Sequence, residues 1–255
     1  MGKMDARVRQ YLERIGYDGA AEPTKETLFA LQRLHLLRVP YENMDILAGK
    51  RLSLSIDDLF HKVVTRGRGG YCFEVNALFG WLLAQMGYHV DSYFGRFVRG
   101  EPQIPMRRHH VLVARVGEER FVCDVGVGIA IAREPLLLAE GIEQTQDFGS
   151  YKLERDEVLG WVIYSREKGE WEWLYSFTEE PQLPVDFVQP TFFCEYAPES
   201  IFNKSPMIAI RTPDGRKTID DHTFKHFSPA GVEVTELQDE AALSEALNVH
   251  FGIII

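Results

Sequence analysis

Apolar residues over the first ninety positions recur at helical spacing. In PTKETLFALQRLHLLRVP, Leu28, Leu31 and Leu34 share one face, Thr24 stands where an N-cap belongs and Pro40 follows the end. Ser55 and Asp58 resemble a capping box ahead of Leu59, Phe60, Val63 and Val64. The glycine-rich stretch from Arg66 to Gly70 leads into YCFEVNALFGWLLAQMG, an apolar helical run that Gly87 closes.

From about residue 90 the period shortens to that of β-strands, in VDSYFGRFV, HHVLVARV and RFVCDVGV. The stretch VLVARVGEERFVCDV predicts a hairpin turning near Gly117. Later runs cover Trp161 to Tyr164 and Trp171 to Phe177; Trp171 and Trp173 alternate, which predicts one sheet face and core packing for both. Asp214-Gly215 marks a turn in a polar β-type tail, and a last helix is expected around Glu240 to Leu247. Helices first, strands next and a mixed end predict an α+β protein, with no repeat or flexible linker to separate its parts.

Composition narrows the partners. A formal charge of -10 excludes a nucleic-acid backbone or an anionic membrane surface as the main partner, and a small polyanion would need a local cradle of positive groups. Three cysteines without paired spacing predict neither a disulfide framework nor a metal site, and suit a reducing compartment. The start, MGKMDARVRQYLERIG, lacks the apolar core of a signal peptide, and no segment reaches the ~18 apolar residues of a membrane span. The expectation is a soluble cytoplasmic protein.

Cys72 follows a Gly-Gly pair at a predicted helix start, where free backbone N–H groups and the helix dipole favour a thiolate. The alternative is a small buried hydrophobe, which is the expectation for Cys123 and Cys194. A nucleophile needs a base and a group to orient that base. Candidates are His109 and His110 on one strand and Asp124 on the next, in FVCDVGVG, where a carboxylate among apolar neighbours wants a buried partner. A solvated basic edge for the histidines and a turn role for Asp124 are the competing readings.

The run RGRGGYCFEVN resembles the arylamine N-acetyltransferase signature, an Arg-Gly-Gly-Tyr-Cys-Phe-Glu segment that holds the acyl-accepting cysteine. The blocks YLERIGYDG, VPYENMDI, HHVLV, DVGVG, SIFNKS and TPDGR resemble the family in the same order. The resemblance implies a papain-like Cys-His-Asp core. It divides the chain into a helical domain carrying the nucleophile (1–90), a β-barrel-like domain carrying His and Asp (91–195) and an α/β lid (196–255). Cys72 takes the nucleophile position and Asp124 the aspartate position. The family's histidine is usually followed three residues later by Leu, which is true of His109 and not of His110. Strand alternation sends the two histidines to opposite faces: a two-residue hairpin loop puts His109 beside Asp124, and a three-residue loop would put His110 there. The commoner two-residue loop favours His109.

The implied reaction is ping-pong acetyl transfer from acetyl-CoA to an aromatic amine or hydrazine, with the backbone N–H of Cys72 as one oxyanion donor and no metal. For CoA, Gly126 and Gly128 would let the backbone approach a pyrophosphate, and Asn203, Lys204 and Ser205 of SIFNKS would offer amide, charge and hydroxyl. Arg211, Arg216 and Lys217 read as an exposed hairpin surface, and His222 and His226 as exposed polar positions. The family commonly has Gly-Phe-Gly after the aspartate where this chain has Gly126-Val127-Gly128, which predicts a wider acceptor pocket. The competing functions are an amide synthase on the same triad, a papain-like cysteine peptidase and a catalytically silent binding module.

Overall fold

Side-chain caps set the helix starts. The Asp5 carboxylate accepts from the Arg7 N–H at 2.8 Å to open α1 (Ala6–Ile15), and the Thr24 hydroxyl accepts from Thr27 N–H at 3.2 Å to open α2 (Lys25–Arg38). A short α3 (Met44–Leu47) precedes α4 (Ile56–Phe60), which Ser55 caps and which runs on into a π-turn, His61–Thr65. The helix α5 (Cys72–Gln85) ends two residues before Gly87, whose φ of 94° suits glycine. These elements belong to a computed structural model that describes residues 5–101, 103–128, 132–167 and 169–254.

Eight antiparallel strands follow: β1 (His89–Phe97), β2 (His109–Val116), β3 (Glu119–Cys123), β4 (Leu136–Leu137), β5 (Gln144–Gln146), β6 (Gly149–Asp156), β7 (Gly160–Arg166) and β8 (Glu172–Phe177). Their order is β4-β3-β2-β1-β8-β7-β6-β5. Glutamine side chains link the two edges. Gln144 accepts from Leu137 N–H at 2.7 Å and donates to its carbonyl at 3.0 Å, and Gln146 makes the same pair of bonds to Glu134. The sheet is therefore a nearly closed barrel. Leu78, Phe79 and Leu82 of α5 belong to one core with Val111, Leu112, Val113 and Phe121 of the barrel, and Gly80 of the helix faces Leu112. Each such side chain stabilises the fold by roughly 1.5–3 kcal/mol.

After a 3-10 turn (Pro184–Phe187) and α6 (Val188–Tyr196), a second antiparallel sheet contains β9 (Met207–Thr212), β10 (Gly215–Asp220), β11 (Thr223–Ser228) and β12 (Gly231–Glu236). On it sits α7 (Glu240–Phe251), longer than expected because Phe251 extends the apolar face of Leu243 and Leu247, and Gly252 caps the end. Tyr41 stitches this sheet to the helical region by exchanging backbone hydrogen bonds with Ala209 at 2.8 and 3.0 Å. The fold is α+β, as the order of periodicities predicted. Two expectations are corrected. Trp173 is exposed and Trp171 half-buried under the Lys152 and Arg166 cations, so neither is in the core. Arg211 is buried rather than on a hairpin surface.

Candidate active site

The β2–β3 hairpin pairs Val116 with Glu119, which leaves the two-residue loop Gly117-Glu118. Leu112 faces Cys123, so His109 and Asp124 fall on the other face of the ribbon. There His109 Nε2 lies 2.6 Å from Asp124 Oδ2, and both side chains are buried. Gly95 on β1 pairs with His109 and leaves room for its ring, since a Cβ there would stand 3.3 Å from Cδ2. His110 turns the opposite way. Its Nε2 is 3.0 Å from the Ser92 hydroxyl and its ring stacks on Phe187 at 4.1 Å. Burial, with the like charge of His109 adding to it, brings His110 down to about 3, so it stays uncharged at neutral pH.

Cys72 is the first residue of α5 and is buried. The helix start is held by a chain of buried charges. Glu74 accepts from the Tyr71 N–H at 3.1 Å and from Lys62 at 2.7 Å; Lys62 also meets Asp45 at 2.9 Å, and Arg68 pairs with Glu42 at 2.7 Å. Burial still pushes the Glu74 carboxyl up to about 7, against the pull of Lys62. The RGRGGYCFE run is thus a scaffold for one sulfur atom. Burial also pushes the Cys72 thiol well above its ordinary value, Cys194 and Asp124 push the same way, and the N–H groups of His110 and Phe73 pull back. The helix start alone therefore does not make a thiolate: the proton must go to a neighbour.

A cavity of about 350 Å³ opens onto the sulfur. Cys72, His109, Gly126, Val127 and Gly128 form one end, and Tyr41, Phe97 and Phe202 supply apolar wall. Arg216, Thr218 and Lys225 line it from the inner face of β10 and β11, which corrects the expectation of an exposed surface for Arg216. Of the predicted cofactor residues, Gly126 and Gly128 border the cavity, whereas the SIFNKS loop contributes Ile201 and Phe202. The Asn203 amide instead donates to the carbonyls of Glu195 and Ala197, Lys204 is exposed, and the Ser205 carbonyl accepts from Asn43. Among the described residues no group of three His, Cys, Asp or Glu side chains could hold a metal ion, and no helix is long and apolar enough to cross a membrane.

The sequence profile described as N-acetyltransferase matches residues 24–255. An arylamine N-acetyltransferase of Escherichia coli K12 is 33% identical over 249 residues, covering 96% of this chain and 88% of its own. The chain belongs to the arylamine N-acetyltransferase family. It is an acyltransferase. Its fold superposes on the arylamine N-acetyltransferase from Salmonella typhimurium with a TM-score of 0.94 at 29% identity, covering 98% of this chain and 92% of that one. The Mycobacterium marinum arylamine N-acetyltransferase in complex with CoA gives 0.90 at 33% identity, covering 96% and 92%.

Three residues of this arylamine N-acetyltransferase family member escaped the sequence reading. Asn76 stands one turn after Cys72, donates to Asp124 Oδ1 at 2.9 Å and to the His110 carbonyl at 2.7 Å, and accepts from Val125 N–H at 2.9 Å. Gln32 accepts from the Asp124 N–H at 3.2 Å. The charge of Asp124 pushes Tyr175, already raised by burial, further up, and the Tyr175 ring meets His109 edge-on at 5.2 Å. An amide four residues after the cysteine, in a largely apolar helix, was the available signal for Asn76. Gln32 and Tyr175 carry no comparable signal. Gly126 has a second reason to be glycine: a Cβ would sit 2.7 Å from both Cys72 Cα and Asn76 Nδ2.

Proposed function

We propose that the chain moves an acetyl group from acetyl-CoA to an aromatic amine or hydrazine through an acetyl-cysteine at Cys72. One observation carries this reading: Cys72, at a helix start, and His109, bonded to Asp124, line the same cavity. Because Nε2 is committed to Asp124, Nδ1 is the ring nitrogen left to serve the sulfur. His109 takes the thiol proton, the sulfur attacks the thioester carbonyl, and the carbon–sulfur bond to CoA breaks. The CoA thiolate recovers that proton. In the second half the amine attacks the acetyl-cysteine, His109 takes the amine proton, and the restored Cys72 thiolate is reprotonated. Asp124 holds the tautomer and stabilises the imidazolium of each step.

The donor's phosphates need positive groups in a protein of net charge -10. Arg216 and Lys225, with the Thr218 hydroxyl between them, are the cavity residues suited to that end, and they replace Asn203 and Ser205 in this reading. The experiment is intact-protein mass spectrometry with acetyl-CoA and no acceptor. The protein gains one acetyl mass, and Cys72→Ala and Cys72→Ser gain none; acetylation persisting in Cys72→Ala sinks the mechanism. With an arylamine present, double-reciprocal lines run parallel, and intersecting lines would indicate a ternary complex instead.

A further inference from the structure

The two ends of the cavity must stand a fixed distance apart, because the donor is one molecule that reaches both. Its thioester carbon meets Cys72, and its phosphates meet Arg216 and Lys225 on the lid sheet. The lid hairpin does not favour that placement of Arg216 by itself. Arg216 stands opposite Arg211 in the β9–β10 register, and like charges on directly opposed residues repel. The turn of this hairpin is gripped by Arg133, a buried residue between β3 and β4. Its guanidinium donates to the carbonyls of Thr212 at 2.6 Å, Pro213 at 3.1 Å and Gly215 at 3.1 Å, and lies over the Phe148 ring at 3.8 Å. Bonds from a buried cation are strong, and the planar fork fixes their direction. Gly215 is the chain neighbour of Arg216, so the grip ends one residue from the cavity.

In the other direction the same segment leads to the residue that bonds His109. Gln32 on α2 is buried and uses both ends of its amide: Nε2 donates to the Ala132 carbonyl at 3.1 Å, and Oε1 accepts from the Asp124 N–H at 3.2 Å. Asp124, Gln32, Ala132, Arg133 and the β9–β10 turn therefore form an unbroken path of covalent and hydrogen bonds from one end of the cavity to the other. The lid sheet is also tethered at Ala209 by its exchange with Tyr41. A sheet tied at one point can pivot, and a second tie at the turn removes that freedom. We propose that Arg133 is a positioning residue that sets the span between the Cys72 sulfur and the cations of the lid, and so matters for donors long enough to reach both. The inference rests on the reading that puts the donor's phosphates at Arg216 and Lys225.

The test compares two donors on the full chain: acetyl-CoA, and p-nitrophenyl acetate, an ester that carries the acetyl group without a phosphate. Acetyl loading of Cys72 is followed by mass against donor concentration, with no acceptor present. Arg133→Met removes the fork and keeps an unbranched chain over Phe148. The half-saturating concentration of acetyl-CoA rises roughly tenfold, and loading from the ester stays within about twofold of the parent. Arg133→Lys keeps the charge and recovers part of the loss. Each preparation serves both donors, so partial unfolding lowers both alike and leaves their ratio unchanged; if Arg133→Met does not fold, Arg133→Lys reads the same ratio. A parent-like ratio in the Arg133 variants overturns the proposal and leaves Arg133 as a support of the fold. Lys225→Met tests the phosphate reading by itself. A lowered ratio there beside a parent-like ratio in Arg133→Met strikes the proposal alone, whereas an unchanged ratio in Lys225→Met strikes the phosphate reading and the proposal with it.

Discussion

The carboxylate of Asp124 is shared between two elements: Oδ2 lies 2.6 Å from His109 Nε2 on β2, and Oδ1 accepts from Asn76 on α5 at 2.9 Å. The helix that carries Cys72 and the strand that carries His109 are thereby tied to one side chain. Asn76 adds a bond to the His110 carbonyl and one from Val125 N–H, so it fixes the spacing between sulfur and ring as well as the ring's orientation.

Asn76→Ala leaves a carboxylate oxygen, a carbonyl and an N–H buried with one partner fewer each. Stability drops by about 3 kcal/mol, read as a shifted urea midpoint, and acetyl loading of Cys72 slows at least tenfold. Slowed loading without a stability change would mean that the network orients but does not support; loss of neither would remove Asn76 from the site.

The two histidines separate by alkylation of Cys72 as a function of pH. Burial raises the thiol, so its ionisation at neutral pH depends on a base that accepts the proton. His109→Gln removes that base, and the iodoacetamide rate at about pH 7 falls at least tenfold, with the curve displaced to higher pH. His110→Gln keeps the parent curve, because a histidine held down to about 3 has no proton to exchange in this range. The reverse pattern would assign the base to His110.

Acid stability follows from the same burial. His35, 3.0 Å from the Tyr11 hydroxyl, and His110 are each lowered to about 3 from 6.5, by burial first. Below 6.5 the unfolded chain binds protons that the folded chain refuses, so stability present at neutral pH is lost as the pH falls from 6.5 towards 3. Each histidine contributes a slope of about 1 kcal/mol per pH unit in that window. Urea midpoints at about pH 7.5 and about pH 5 show a smaller difference in His110→Gln than in the parent; an equal difference would mean that His110 is protonated in the fold.

Val127 lines the cavity beside Cys72 and is buried. Val127→Phe refills space on the acceptor's side and changes the ranking of arylamines severalfold, with a smaller effect on the acetyl loading rate. Equal effects on both half-reactions would show that Val127 does not shape the acceptor pocket.

Much of the architecture was legible in the chain. The switch from helical to two-residue periodicity near residue 90, the caps at Thr24 and Ser55 and the turn at Gly117 are local signals, and each appears where local chemistry puts it. Hairpin register is also local: the commoner two-residue loop favoured His109 over His110, and the structure has that loop, with His109 on the face of Asp124. The misplaced residues share a cause. Trp173 was placed by strand alternation and Arg211 and Arg216 by their charge beside a hairpin turn, and neither signal says which sheet face is covered. Asn203 was read as a polar loop residue free for a ligand, and its amide is spent on the carbonyls that end α6.

The sequence by itself determined the chemistry available: a cysteine at a helix start, a histidine and an aspartate on one hairpin face, and a glycine-rich approach to both. Those features depend on residue type and short-range spacing, which a linear chain records. Only the tertiary structure decided what surrounds them. Asn76 and Gln32 reach Asp124 across 48 and 92 residues, and the inner face of β10 and β11 closes the cavity from the far end of the chain. It also decided that burial, with Cys194 and Asp124 beside it, pushes the Cys72 thiol up, because a sulfur's proton affinity is set by how much water and which charges the packed neighbours leave around it.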